Sequence, residues 1–164
     1  MLWEADFKAM RIPCMRWSME RSPALEAARD FLSVVWDGDP PTDEEVRRTL
    51  DCLVAAYYST PAGDVTEDVI DPPAKDGAAL YKEAADRFPQ HGLYPIADPS
   101  ADYDDALIMA DAIDDLADIT GDMREVVWFA EHVSLDDAHF SFRLHFFHWG
   151  QHARGLAYYL QDRI

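Results

Sequence analysis

Cysteine is scarce in this chain of 164 residues, with Cys14 and Cys52 as the only two. Two cysteines cannot form a disulfide framework, and these two are too far apart for the C-x-x-C spacing that is typical of zinc and redox motifs. We therefore expect a protein of a reducing compartment, the cytoplasm, and we interpret Cys52 as an ordinary, partly buried thiol.

Long apolar runs are also lacking. No stretch approaches the roughly 18 consecutive apolar residues that a membrane-spanning helix needs. The start of the chain does not show a basic region followed by an apolar core, which is the pattern of a secretory signal. The sequence therefore predicts neither a membrane protein nor a secreted one.

Basic residues are few compared with acidic ones. The chain has 14 Lys and Arg against 32 Asp and Glu, which gives a formal net charge of −18 at pH 7. An anionic surface repels phosphate backbones, so we do not expect direct binding of DNA or RNA. Such a charge usually serves solubility, and the alternatives are the binding of a basic partner or the mimicry of a nucleic acid.

The charge is not uniform along the chain. Residues 1–22 contain four basic and three acidic side chains, a net charge of +1, so residues 23–164 carry −19. With 49% hydrophobic residues, a chain of this length can form a sizeable core in one domain. We predict an N-terminal arm or extension over residues 1–22 and one helical-bundle domain over residues 23–164.

Hydrophobic residues recur at helical spacing in five segments. Ser22 before Pro23, and Thr42 three residues before Glu45, are N-cap patterns at the start of two of them. No segment shows convincing strand alternation, and we expect the proline-containing linker 89–101 to form an ordered loop. The sequence predicts an all-α, single-domain bundle of about five helices, the last two long and paired. The predicted helices cover about residues 23–36, 42–59, 74–88, 102–130 and 134–162.

The stretch from His145 to Gly155 contains three of the six histidines of the chain. On one continuous helix, His145, His148 and His152 lie along one flank of an apolar stripe centred on Phe142. We expect His145 and His152 to be substantially buried and His148 to lie nearer the edge. Three interpretations are open: buried neutral imidazoles that hydrogen-bond between helices, metal ligands, and titrating or catalytic groups.

A cluster of aspartates precedes the histidines, in the sequence DAIDDLAD of residues 111–118. Asp111, Asp114 and Asp118 have the same three-then-four spacing as the histidines, so each set can occupy one face of a helix. The simplest interpretation is a solvated face, because these aspartates lie opposite the apolar seam of their helix. The alternatives are a buried Asp–His network and a divalent-metal site. The candidate metal ligands are Asp114, Asp118, His148 and His152.

DDLADI at residues 114–119, followed about thirty residues later by HWGQHARGL at residues 148–156, resembles a group of bacterial helical proteins catalogued as domain of unknown function five-zero-six-three. The resemblance covers roughly the last 65 residues well and the earlier helices only in general layout. It implies a compact α-helical protein in which the two motifs form a pair, and it implies no reaction. The motif residues are Asp111, Asp114, Asp115, Asp118, His145, His148, Trp149, Gly150 and His152.

Established catalytic signatures are absent: the sequence has no G-x-S-x-G, no P-loop, no H-E-x-x-H and no Gly-rich dinucleotide turn. Our leading hypothesis is therefore a protein-interaction or regulatory module without a cofactor, whose partner is another protein or a second copy of the chain. The first alternative is a divalent-metal-dependent hydrolase that uses the four candidate ligands. The second alternative, a nucleic-acid mimic, rests on the charge alone. The remaining histidines, His91, His132 and His139, show no diagnostic spacing.

Overall fold

The computed structural model describes residues 22–67, 70–98, 102, 104 and 107–163, so the predicted arm lies outside the described residues apart from Ser22. The described chain forms six α-helices and one two-stranded antiparallel sheet. None of these helices is both long enough and apolar enough to span a membrane. The elements are α1 (Pro23–Trp36), α2 (Asp43–Ser59), α3 (Gly77–Arg87), β1 (Leu93–Ala97), β2 (Leu107–Asp111), α4 (Ala112–His132), α5 (Leu135–Leu144) and α6 (Phe146–Gln161).

The first two helices begin at the N-cap patterns of the sequence, which confirms those predictions. The Ser22 hydroxyl accepts a hydrogen bond from the backbone N–H of Leu25, and Pro23 occupies the first turn, where its missing N–H removes no helical bond. Thr42 and Glu45 form a reciprocal capping box. Local side-chain chemistry therefore sets where α1 and α2 start.

The prediction that the chain contains no strand is wrong. β1 and β2 pair along their full length, from Leu93 opposite Asp111 to Ala97 opposite Leu107. β1 lies in the linker predicted as a loop, and β2 replaces the start of the fourth predicted helix. Apolar runs of five residues do not distinguish a strand from a helix by periodicity. Pro95 is tolerated because both strands of a two-stranded sheet are edge strands.

The last predicted helix is divided in two, so the described residues form six helices where about five were predicted, while the prediction of a mainly helical fold is confirmed. α5 ends at Leu144 and α6 begins at Phe146, with His145 between them at φ −83° and ψ 5°. The Phe146 ring packs against Gly150, where a β-carbon would lie only 2.7 Å from ring atoms. The arrangement of side chains predicted for one continuous helix therefore does not hold across His145.

The core forms where α1, α2, α4 and α6 pack against each other. Among its fully buried side chains are Phe31 of α1, Leu53 of α2 and Met123 of α4. Trp149 of α6 is also fully buried, and its indole N–H donates to the carbonyl of Phe142, so burial leaves no unsatisfied donor. This packing places α4 and α6, which carry the aspartate and histidine motifs, directly against each other.

Candidate metal centre

The aspartates of α4 are divided between the interior and the surface. Asp115 and Asp122 are buried, Asp118 is partly exposed and Asp114 is exposed. The interpretation of a solvated face was made for Asp111, Asp114 and Asp118, of which Asp114 is exposed and the other two are partly exposed. That interpretation placed the aspartates opposite an apolar stripe that included Met109. Met109 lies on β2 and is exposed, so it does not belong to the buried face of α4.

His152 meets one of the buried carboxylates. Its Nδ1 lies 2.6 Å from Oδ1 of Asp115, and the Tyr94 hydroxyl donates to Oδ2 of the same group at 2.6 Å. The hydrogen bond to Asp115 raises the pKa of His152, against desolvation, and the charge of Asp118 adds to the rise. Burial and the bond to Asp115 raise the pKa of Tyr94, so its hydroxyl remains a donor at neutral pH.

His148 meets the other buried carboxylate, about two turns further along α4. Its Nδ1 lies 2.8 Å from Oδ2 of Asp122. Lys75, from the segment before α3, donates to Oδ1 of Asp122 at 2.6 Å and lies 2.9 Å from Oε2 of Glu125. Desolvation lowers the pKa of Lys75, but its hydrogen bonds to these two carboxylates outweigh it, so the pKa is raised and the ammonium stays charged.

The second ring nitrogens of the two histidines converge on Asp118. Nε2 of His148 lies 3.6 Å and Nε2 of His152 lies 3.5 Å from the same atom, Oδ2 of Asp118. One potential ligand atom from each residue lies within 4.8 Å of the others. Two ligands of a tetrahedral zinc ion, with bonds of about 2.0–2.1 Å, are separated by roughly 3.3 Å. The distances from Asp118 to the two histidines, 3.5 and 3.6 Å, are close to this separation.

Each histidine of this trio is also oriented from behind by its own carboxylate. Histidines that bind metals almost always donate their other ring N–H to a carboxylate, a carbonyl or water, which fixes the tautomer and the ring orientation. Asp115 accepts from His152 and Asp122 accepts from His148. Asp118, His148 and His152 are all partly exposed, so solvent can reach them.

The structure does not bring every predicted aspartate to the trio. Asp114 offers no atom to it, and its pKa is raised by desolvation and by the charge of Asp118. Asp111 caps α4 instead: it accepts hydrogen bonds from the backbone N–H of Ile113 and from the Tyr81 hydroxyl. Of the four candidate metal ligands, the geometry unites Asp118, His148 and His152.

The other residues of the histidine motif have structural surroundings. The expected order of burial is confirmed, since His145 and His152 are 30% and 26% exposed and His148 is 41% exposed. Nδ1 of His145 lies 3.5 Å from Oε1 of Glu125, beyond the usual range of a hydrogen bond. Trp149 belongs to the core. The remaining histidines contact other partners: His91 with Asp43, His132 with Trp128 and His139 with Ser22.

The sequence does contain a signal for Asp122 and Glu125, which the prediction missed, whereas Asp115 was among the predicted motif residues. Asp115, Asp118, Asp122 and Glu125 are spaced by three, four and three residues. Counted backwards from Glu125, the intervals are three and then four residues, as they are from His145 to His152. Two antiparallel helices bring residues with such reversed spacing opposite each other. Tyr94 carries no comparable signal, because it reaches the site from a hairpin that the sequence did not predict.

Comparison with known proteins identifies the fold and no function. No family model matches the chain, and no curated protein matches it. The chain is similar to the crystal structure of protein BF1032 from Bacteroides fragilis, with a TM-score of 0.60, 15% sequence identity, and coverage of 85% of this chain and 86% of that one. At this identity the likeness shows the fold alone. The resemblance to domain of unknown function five-zero-six-three stays a prediction.

Proposed function

We propose that the protein binds one divalent transition-metal ion through Asp118, His148 and His152, and that this centre catalyses hydrolysis. One observation carries the proposal. Both Nε2 atoms lie within 3.6 Å of one Asp118 oxygen, while both Nδ1 atoms are held by separate buried carboxylates. This is the arrangement of metal-binding histidines and their outer-shell partners.

A purely structural Asp–His network explains less of the geometry. Asp115 and Asp122 already give each histidine one carboxylate partner. Asp118 is a third carboxylate, and its 3.5–3.6 Å distances to both rings are too long for good hydrogen bonds. A metal ion between the three groups would bind all three ligand atoms at once, whereas the direct contacts of Asp118 with the two rings are poor hydrogen bonds.

The ligand types indicate which ion the centre would take. Two imidazoles and one carboxylate suit zinc and its neighbours in the first transition row, whereas magnesium and calcium prefer oxygen ligands alone. Three protein ligands leave a position for water, whose pKa falls to about 7 on zinc, so that hydroxide is available at neutral pH. The net charge of −18 raises the local concentration of cations.

Metal binding can be tested on protein purified without a histidine tag, by elemental analysis and by titration with Co²⁺ followed by visible absorption. We expect one ion per chain. Asp118→Asn and His148→Gln should weaken binding strongly, whereas Asp114→Asn and His132→Gln, which are substitutions on α4 outside the trio, should not. Equal binding by all four variants, or no uptake by the unaltered chain, would refute the metal site.

Hydrolysis requires a separate measurement. The zinc- and manganese-loaded protein should turn over at least one class among chromogenic carboxylic esters, phosphoesters and anilides, and Asp118→Asn should abolish that turnover. If the loaded protein binds its ion but accelerates none of these reactions, the hydrolase part of the proposal fails and the metal site remains.

A second function, the binding of another protein, is supported by the surface of α6. Tyr58, Phe147 and Tyr158 are 68–70% exposed. Arg154 lies between them and donates to the Tyr58 hydroxyl, and no carboxylate in the described part of the chain pairs with it. Residues 138–161 contain no Asp or Glu, in a chain that has 32. Exposed aromatic residues around an arginine are typical of binding surfaces, here for a partner that supplies carboxylates.

A second copy of the chain is the partner that can be tested directly, because it brings its own acidic surface. Sedimentation equilibrium over a wide concentration range should show a monomer–dimer equilibrium that Phe147→Ser weakens. The matched substitution Leu107→Ser, at an exposed apolar residue of the hairpin, should leave it unchanged. A chain that is monomeric at every concentration would rule out self-association through α6.

A further inference from the structure

We infer that Tyr94 is a positioning residue of the candidate metal centre, which orients His152 through Asp115. The inference rests on the proposed function. The Tyr94 hydroxyl donates to one oxygen of Asp115, and the other oxygen holds Nδ1 of His152, each at 2.6 Å. Nε2 of His152 faces Asp118. A single carboxylate therefore connects the β-hairpin to a ligand of the ion.

The burial of this chain of contacts makes the hydroxyl hard to replace. Tyr94 and Asp115 are both buried. The Tyr94 ring is stacked on Tyr159, with 4.6 Å between the ring centroids, which fixes the direction of the hydroxyl. Each oxygen of Asp115 has one partner among the described residues. Without the hydroxyl, one oxygen of a buried carboxylate loses its partner, and the carboxylate can rotate away from His152.

Gly155 gives the Tyr94 hydroxyl the room that it needs. A β-carbon at position 155 would lie 2.9 Å from the hydroxyl oxygen and 2.8 Å from Cδ1 of Ile96, closer than carbon atoms approach such groups. Gly155 lies three residues after His152, so α6 contains both the proposed ligand and the glycine that leaves space for the Tyr94 hydroxyl. This gives the second glycine of the sequence motif a role connected with the site.

The expected size of the effect follows from the position of Tyr94. Loss of an outer-shell partner of a metal-bound histidine lowers metal affinity by 10- to 100-fold. Tyr94 acts on that partner and not on the ligand itself, so we expect Tyr94→Phe to lie at the lower end of this range, about tenfold. The geometry of the site should also relax, because His152 is then held less firmly.

Tyr81→Phe supplies a matched control. The Tyr81 hydroxyl also donates to an aspartate at the start of α4, Oδ2 of Asp111, at 2.9 Å. Among the described residues the side-chain partners of Asp111 are Tyr81 and the backbone of Ile113, so the control removes the same kind of bond without touching the ligands. The dissociation constant for Co²⁺ and the visible spectrum of the cobalt-loaded full chain are compared for the unaltered protein and both variants, with circular dichroism to confirm folding.

Tyr94→Phe should raise the Co²⁺ dissociation constant about tenfold and shift the visible bands, whereas Tyr81→Phe should change neither. If the unaltered chain binds cobalt and the two variants behave alike, the role of Tyr94 is refuted and the metal site is not. If the unaltered chain binds no cobalt, the proposed function fails and this inference fails with it.

Gly155→Ala tests the same contact from the other side and does not depend on the folding of Tyr94→Phe. The added methyl group should displace the hydroxyl and weaken cobalt binding in the unaltered background. In the Tyr94→Phe background the loss should be smaller, because only the contact of the β-carbon with Ile96 remains. Full additivity of the two losses, or unchanged binding in Gly155→Ala alone, would contradict the inference.

Discussion

Histidines in this protein are held in two opposite ways at the scale of single residues. A buried carboxylate partner raises the pKa of His152. Burial lowers the pKa of His91 and of His139, although nearby carboxylates oppose it in both cases. The surroundings of His152 therefore favour its protonated form, whereas those of His91 and His139 favour the neutral form.

His139 should make the stability of the protein depend on pH in a definite direction. Its Nε2 lies 2.7 Å from the oxygen of the buried Ser22 hydroxyl, and burial holds its folded-state pKa below the ordinary value of about 6.5. As the pH falls below about 6.5, the unfolded chain takes up a proton that the folded chain does not, so the free energy of unfolding decreases until the lower folded-state pKa is passed.

Denaturant unfolding between pH 5 and 8 checks this expectation. His139→Gln keeps a polar group next to Ser22 but cannot titrate, so its loss of stability on acidification from about pH 6.5 should be smaller than that of the unaltered chain. His132→Gln, at an exposed histidine, serves as the control. An identical pH profile for His139→Gln and the unaltered chain would show that His139 titrates alike in both states.

At the scale of secondary-structure elements, the site is a product of two helices with matched spacing. Asp118 and the carboxylates around it recur every three or four residues on α4, and the histidines do so from His145, the N-cap of α6, to His152 within it. Because the two helices run antiparallel and in contact, each histidine lies opposite an acidic residue. The hairpin then adds Tyr94 from outside the helix pair.

The sequence predicts the secondary-structure elements that are specified by neighbouring residues, and it does not predict those that depend on contacts between distant segments. The capping residues Ser22 and Thr42 mark helix starts through bonds to neighbours within three residues, so both starts were predictable. The β1–β2 pairing depends on contacts between two separate segments of the chain, which no local pattern reveals. Asp118, His148 and His152 could be predicted as candidate ligands. Recognising which carboxylates are buried behind the two histidines required knowing where α4 begins.

Gly63 should be the least replaceable residue of the loop between α2 and α3. Its φ of 71° disfavours any other residue, and a β-carbon there would lie 2.4 Å from the backbone oxygen of Asp136 in α5. Backbone cannot move aside, so Gly63→Ala should destabilise the fold by about 2–4 kcal/mol. Gly38→Ala, at φ 61° but with open space around it, should cost about 1 kcal/mol. Urea unfolding measures both, and equal losses would refute the role of the α5 contact.

At the scale of the whole molecule, the charge is arranged unevenly. The chain has a net charge of −18, yet residues 138–161 contain no acidic side chain. This stretch covers α6 and most of α5, which pack against the acidic side chains of α4. The protein therefore combines strong overall repulsion with a site where carboxylates, imidazoles and one lysine are close together.

Overall repulsion predicts that simple salt stabilises the protein. Screening weakens the interaction between exposed charges once the Debye length falls to about 3–10 Å, at 0.1–1 M salt. The exposed ion pairs, such as Arg29 with Glu131, contribute little each, so their loss should not offset the gain. The melting temperature should rise between 0.05 and 0.5 M NaCl, and similarly in KCl. A fall would show that paired charges outweigh the net repulsion.

Specific metal binding must be distinguished from this general effect of cations. A ligand at 100 times its dissociation constant stabilises the folded state by about 2.7 kcal/mol, which for a chain of this size raises the melting temperature by roughly 5–10 °C. Zn²⁺ at micromolar free concentration, too dilute to screen charge, should produce such a rise because its ligands come from both α4 and α6. Mg²⁺ should act only at the millimolar concentrations at which it screens. Asp118→Asn should abolish the response to Zn²⁺ and keep the response to Mg²⁺. If both responses survive in Asp118→Asn, cations act on the molecule through its net charge, and Asp118 does not bind them.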